Sequence, residues 1–287
     1  MVAIFASSLS YSLYGIFSKK YIVGHFDPFY QSWTRAIITV SCFLILALFL
    51  KGSSFRKIAK KDRKNFALMC LLGSSAAAPT YYSLAYMNLG TSLFIQYGSG
   101  LMCGYVLAAL ILKEKLTPIK YIALLLALVG LVSVYWGEVH VQSFLPVVAA
   151  VLSGSLFTAA MVISKKMDYS FIQINTFAHL TIIAVNLPVS MIIGEKCNID
   201  FASAPWFANV GYGVAGFMGS ALAVYGYKFI EASKGSLLVL SEIIFGVLFG
   251  FFIFGETLNA MAIVGGLLIL LAITLKSIVG LFKEKIP

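Results

Sequence analysis

The chain alternates long apolar runs with short polar breaks, and the runs set its architecture. Taken from breaker to breaker they lie near residues 2–23, 29–50, 66–87, 92–112, 118–136, 144–164, 171–193, 206–230, 235–254 and 259–281. Each comes close to the roughly 20 helical residues needed to cross hydrocarbon about 30 Å thick, where every backbone polar group must be satisfied inside the segment. The period-two alternation of an outer-membrane barrel is absent, and the runs are too long for barrel strands. The pattern predicts an all-α, polytopic membrane protein with ten transmembrane helices.

Polar residues within the runs recur at helical spacing, which gathers them on faces that lipid would not tolerate. The first span carries Ser7, Ser10, Tyr11, Tyr14 and Ser18; the third carries Ser74, Ser75, Tyr81 and Tyr82 around Pro79. The fourth has Ser92, Gln96, Ser99 and Cys103 beside Tyr97, and the seventh has Asn175, His179, Asn186 and Ser190. Hydroxyls and amides in membranes often serve as helix-to-helix hydrogen bonds worth only about 0.6 kcal/mol each. Stripes on several spans at once predict more than glue: a wettable cavity. Glycines at 211, 213, 216 and 219, and at 246 and 250, predict close helix contacts in the eighth and ninth spans.

Three ionisable side chains lie inside spans, where a charge near the midplane costs roughly 3 kcal/mol or more: Arg35, His179 and Glu242. Glu242 is the leading candidate to bind an amine or a proton. With the tyrosines of the polar faces, which offer both a π-face and a hydroxyl, the expected substrate-binding set is Tyr11, Tyr14, Arg35, Tyr82, Gln96, Tyr97, His179, Tyr225 and Glu242.

Composition agrees with a membrane protein, at 60% apolar and 11% charged residues. The net charge of +10 would suggest nucleic acid in a soluble chain, but its placement is topological. With the N-terminus inside, seventeen lysines and arginines fall on the inner side and Lys19, Lys20 and Lys196 on the outer. The positive-inside rule therefore puts both termini in the cytoplasm of a multi-pass plasma (inner) membrane protein, although Lys19 and Lys20 locally oppose it. No basic stretch precedes the first span, so a cleaved signal peptide is not expected and Met1 is taken to begin the mature chain. Four cysteines show neither disulfide nor metal spacing, and no Gly-x-x-x-x-Gly-Lys loop is present to couple ATP. No cofactor, metal or nucleic acid is expected; the partners are a small-molecule substrate and the bilayer, with a homodimer left open.

Two runs end alike, in "ILKEKLT" at Glu114 and "IFGETLN" at Glu256. Around them "YSLAYMNLGTSLFIQYGSG" roughly matches "YGYKFIEASKGSLLVLSE", and "LSYSLYGIFSKK" echoes "LSGSLFTAAMVISKK". Three matches in the same order predict a duplication, with residues 1–140 as the first five-helix unit and 141–287 as the second. Five spans is an odd number, so the second unit enters the membrane the other way up, as an inverted repeat. Each glutamate precedes a helix start, Thr117–Pro118 or Asn259, and is expected to sit at the positive end of that next helix.

An apolar span ending in Gly-Glu or a variant, a short turn with Leu and Thr or Asn, and a glycine-bearing apolar span, once per half, resembles the EamA-type transporters of the drug/metabolite transporter superfamily. The resemblance covers essentially the whole chain. Lys113 replaces the family's glycine before the first glutamate, Gly130 and Gly265 remain in the helices that follow, and "LSEIIFG" keeps Glu242 but has Ile243 in place of a helix-breaking proline. The resemblance implies a secondary transporter that exports a small organic metabolite, such as an amino acid, by alternating access. An intramembrane enzyme or a membrane scaffold or sensor is the competing expectation. It fits less well, because no paired acids, Ser-His/Lys dyad or metal cluster is evident and there is no soluble domain to signal through.

Overall fold

The computed structural model of the protein describes residues 1–17, 21, 24–50, 55–87, 89–136, 144–195, 202–255 and 260–283, with side chains at all of these except 14–16, 89, 254 and 276–283. Among the described residues there are eleven helices and no strand. They are α1 (Val2–Phe17), α2 (Pro28–Phe49), α3 (Arg63–Tyr86), α4 (Leu89–Leu112), α5 (Pro118–Val134) and α6 (Phe144–Ser164), followed by α7 (Phe171–Ile192), α8 (Ala204–Tyr227), α9 (Ala232–Val239), α10 (Ser241–Phe254) and α11 (Ala260–Lys283).

Local sequence explains where they begin. Pro28 and Pro118 occupy first helical positions, where a missing N–H costs nothing, and Pro205 lies in the first turn of α8. Ser170 caps α7, its hydroxyl accepting the N–H of Gln173 at 3.1 Å. Arg63 and Lys64, expected in a loop, form the first turn of α3 instead.

Among the described residues six spans are both long and apolar enough to cross a membrane: α2, α4, α6, α7, α8 and the α9–α10 pair. The outer surface is correspondingly greasy, with Leu48 81% and Ile192 83% exposed. The interior holds the polar residues. Ser32, Thr39, Ser74, Ser83 and Asn209 are all fully buried, and this chain is a polytopic membrane protein.

Close packing in the bundle comes from small residues. A Cβ at Gly154 of α6 would fall 2.0 Å from the Gln96 carbonyl oxygen of α4, and Gly130 of α5 meets Gly265 of α11 backbone to backbone. The glycines of α8 receive larger side chains, Gly213 that of Ile38 and Gly219 the ring of Tyr11. Gly246 departs from expectation, since its open side meets nothing within 4 Å and faces the central cavity.

The helix pairings come in matching sets. α3 packs on α6 as α8 packs on α1; α3 touches α7 as α8 touches α2; α4 lies on α6 as α10 lies on α1. α2 pairs with α7 and α5 with α11.

The predicted ninth span starts three residues early, at Ala232, and is broken at Leu240. No proline marks the break. The backbone tightens to i→i+3 bonds there, Leu240 N–H donating to Leu237 O and Ile243 N–H to Leu240 O, both at 3.1 Å. Side chains replace the lost helical donors: the Ser241 hydroxyl donates to Leu238 O at 2.7 Å, and Ser8 of α1 donates to Leu238 O and Val239 O. Inserted side-chain donors of this kind are a recognised cause of helix breaks.

Candidate functional site

Between the helices lies a cavity of about 770 Å³, within the roughly 300–1,000 Å³ of small-molecule sites. It extends from Met69, Ser164 and Tyr227 at one end to Met87, Gly90, Gly250 and Ala262 at the other. Its walls are mainly apolar and aromatic, with a few convergent polar groups.

Six of the nine expected substrate residues line it: Tyr11, Arg35, Gln96, Tyr97, His179 and Glu242. Tyr11 rests edge-on against Phe157, centroids 6.5 Å apart. Gln96 is half-buried and heavily engaged: its amide nitrogen donates to Ser83 at 3.1 Å and Ser92 at 2.8 Å, and its oxygen accepts from Ser153 at 3.1 Å. With Thr80, bonded to Ser153 at 2.6 Å, these residues tie α3, α4 and α6 together. His179 is buried. Its Nδ1 faces the Asn175 carbonyl at 2.9 Å, which can only accept, so Nδ1 carries the proton.

Arg35 reaches the cavity from α2 within electrostatic range of Tyr81 and His179. Glu242 stands in the first turn of α10, directly after the break at Leu240, where the helix dipole favours an anion. The Tyr97 side chain of α4 lies beside it in the cavity.

Tyr82 and Tyr225 do not line the cavity. The Tyr82 ring lies tilted against that of Tyr86, with centroids 4.6 Å apart. Tyr225 is 47% exposed on the outside of α8, between Phe171 and Phe229. The Tyr14 side chain lies outside the described residues.

Cavity residues outside the expected set include Tyr135, Ser153 and Tyr212. Tyr212 was visible in principle, because 212, 216, 220, 224 and 227 form one buried stripe of α8. Gly216 and Ser220 in that stripe suit close helix packing as well as a cavity wall.

At the cavity's Ser164–Tyr227 end the protein is bound together by polar ties. Glu114, expected to serve the start of α5, instead turns its carboxylate onto α9. It accepts the N–H of Ala232 at 2.5 Å, the N–H of Ser233 at 3.3 Å and the Ser233 hydroxyl at 2.7 Å. The reason lies in the backbone before it. Lys113 has φ of 55°, and the Glu114 N–H closes back on Ala108 O at 3.0 Å, a left-handed helix terminus that swings the side chain away from α5. Gly255, before Glu256, has φ of 66° at the end of α10; Glu256 and Asn259 lie outside the described residues.

Buried Lys120 sits between Glu231 at 3.2 Å and Glu114 at 3.8 Å. Lys165, following α6, donates to the carbonyls of Tyr227 and Ile230; burial pulls its ammonium below the ordinary lysine range, with Glu114 and Glu231 opposing. Lys228 donates to Tyr169 O and lies 3.7 Å from Asp168, which Arg56 approaches at 3.6 Å. Tyr169 donates to Asp62 at 2.9 Å and accepts the N–H of Ala59 at 2.9 Å. At the other end one comparable tie is present among the described contacts, Glu195 accepting the N–H groups of Phe29 and Tyr30 at the start of α2.

Known proteins share this plan. Two Helicobacter pylori proteins, from strains J99 and 26695, each called an uncharacterized transporter, are 22% identical over 283 residues, covering 94% of this chain and 93% of theirs. A solved crystal structure superimposes with a TM-score of 0.82 at 14% identity, over 99% of this chain and 98% of the other, which shows a shared fold. The EamA-like transporter family pattern matches twice, at residues 1–136 and 144–278, and with nearly the whole chain covered this protein belongs to the EamA-like transporter family.

Proposed function

We propose that this transporter is a secondary carrier that exports a small organic metabolite, such as an amino acid, across the plasma membrane by alternating access between two inverted five-helix repeats. The observation that carries this is the position of the cavity. It lies between the two matched halves, with Arg35 and Tyr97 supplied by the first and His179 and Glu242 by the second. Secondary transporters built from inverted repeats place their substrate sites at such an interface, often beside a broken helix.

The paired contacts support the inversion. If α1 to α5 correspond to α6, α7, α8, the α9–α10 span and α11, the main contacts between halves have counterparts under exchange of the halves: α3–α6 with α8–α1, α3–α7 with α8–α2, and α4–α6 with α10–α1. The polar ties at one end support a resting state closed there. That end carries most of the basic residues and is cytoplasmic under the positive-inside rule, which leaves the cavity facing outward.

The test is counterflow in proteoliposomes preloaded with members of a metabolite panel. Accelerated uptake of a labelled solute driven by the same solute inside is expected. Flux equal to that of protein-free liposomes for every member would refute transport of this class. Export is tested in cells, where overproduction should lower the intracellular level of the transported solute.

A further inference from the structure

We propose that residues 55–64, the segment that leads into and begins α3, form a docking surface for the headgroups of anionic phospholipids. The proposal concerns the protein's lipid neighbours and is independent of the solute carried.

Six cations fall within nine positions here, Arg56, Lys57, Lys60, Lys61, Arg63 and Lys64, against one acid, Asp62. All six are exposed. Asp62 is already engaged, accepting the Tyr169 hydroxyl at 2.9 Å. Arg56 is engaged too, 3.6 Å from Asp168 and with its guanidinium 4.7 Å from the centre of the Tyr169 ring. The other five make no ion pair among the described contacts.

The segment is pinned to the bundle along one side. Gln173 of α7 brackets Arg56, accepting its N–H at 3.2 Å and donating to its carbonyl at 2.7 Å. Tyr169 accepts the Ala59 N–H at 2.9 Å, the Asp62 N–H closes a turn onto Ala59 O at 3.0 Å, and Ile58 packs against the core. These contacts occupy the inward side and leave the five lysines and arginines outside. Like charges fixed so close in sequence repel one another, and a negatively charged partner relieves that cost.

The adjoining surface identifies the partner. Lys64 shares a face of α3 with Ala67, Leu68, Leu71 and Ser75 at helical spacing, and all five are exposed. In a membrane protein that mainly apolar face meets lipid tails. The cations stand where it ends, at the level of the lipid phosphates. An acidic protein or a nucleic acid would match the cations and leave the apolar face unmet, whereas an anionic phospholipid matches both. Clusters of roughly four to eight Lys or Arg beside a membrane-spanning helix attract anionic lipids in this way, and salt weakens the attraction.

The experiment uses the full-length protein with its four native cysteines replaced and a fluorophore on Ala67→Cys, reconstituted in phosphatidylcholine vesicles. Quenching by brominated phosphatidylglycerol is compared with quenching by brominated phosphatidylcholine at equal mole fraction. Phosphatidylglycerol is expected to associate about threefold or more strongly, a preference that high salt removes. Lys57→Gln, Lys60→Gln, Lys61→Gln, Arg63→Gln and Lys64→Gln together should erase the preference. Lys57→Arg, Lys60→Arg, Lys61→Arg and Lys64→Arg together, which keep every charge, should retain it. Should the fivefold glutamine variant fail to insert correctly, Lys60→Gln with Lys64→Gln decides, and this pair is expected to cut the preference by half or more.

Equal quenching by the two lipids would overturn the proposal. So would a preference that survives the glutamine substitutions. Polyglutamate binding to the detergent-solubilised protein, with no phosphatidylglycerol preference in vesicles, would assign the surface to an acidic protein instead.

Discussion

Glu114 offers the sharpest test of how the bundle closes. Its carboxylate accepts three hydrogen bonds from the start of α9, across 118 positions of sequence, and is only 11% exposed. Hydrogen bonds to a charged group contribute about 1.5–3 kcal/mol each, and an anion at a helix N-terminus adds about 0.3–1 kcal/mol. The bonds share one carboxylate and water replaces part of what is lost, so Glu114→Ala should remove about 2–3 kcal/mol from the end proposed to be closed. At about 1.4 kcal/mol per factor of ten, that shifts the balance between inner-closed and inner-open forms by roughly 30- to 150-fold. Ser164, buried at the Ser164–Tyr227 end of the cavity, which the proposal places on the cytoplasmic side, is the reporter. A cysteine placed there, in a protein lacking the four native cysteines, is treated with a membrane-impermeant maleimide in right-side-out and inside-out vesicles. With Glu114 intact, labelling should come from outside; Glu114→Ala should raise labelling from the cytoplasmic side at least tenfold. Folded Glu114→Ala protein with unchanged labelling from both sides would refute the latch.

Other perturbations separate packing from chemistry. Lys113→Gly should stabilise the protein by about 1 kcal/mol, because a left-handed backbone costs a side-chain-bearing residue about 1–2 kcal/mol and glycine regains part of that; an unchanged or lower unfolding temperature would count against it. Gly154→Ala should cost about 1–3 kcal/mol by forcing α6 off the Gln96 carbonyl, whereas Gly246→Ala, with open space, should be neutral or stabilising in the same unfolding assay. Tyr97→Phe should slow counterflow several-fold by removing a hydroxyl beside Glu242, and Tyr225→Phe, outside the cavity, should leave it unchanged; equal effects would contradict the geometry.

Helices were legible because hydrocarbon imposes one secondary structure and one length on each apolar run. Arg35, His179 and Glu242 were legible because an ionisable group within a span is expensive and so conspicuous. Tyr82 and Tyr225 show the limit. A tyrosine suits both a cavity wall and an outer surface, and Tyr82 falls one residue off the Gly73, Ala77, Thr80, Tyr81 and Leu84 face of α3 that lines the cavity. The target of Glu114 was hidden for a different reason. Its neighbours in sequence point to α5, but the left-handed turn at Lys113 aims it across the bundle. The break at Leu240 likewise follows from hydroxyl groups, one of them in α1, rather than from any proline or glycine beside it.

Gly246, like Gly98 and Gly266, has open space where a Cβ would go, and of these three it is the one that lines the cavity. Gly154, Gly213 and Gly219 are pinned by neighbouring helices, so a mutation there is first a folding defect. At Gly246 the open side faces the cavity proposed to hold the solute. Successive substitution by alanine, serine or valine would narrow the chamber with little disturbance to the scaffold. Relatives that handle differently sized solutes could diverge at this one position while keeping the same bundle.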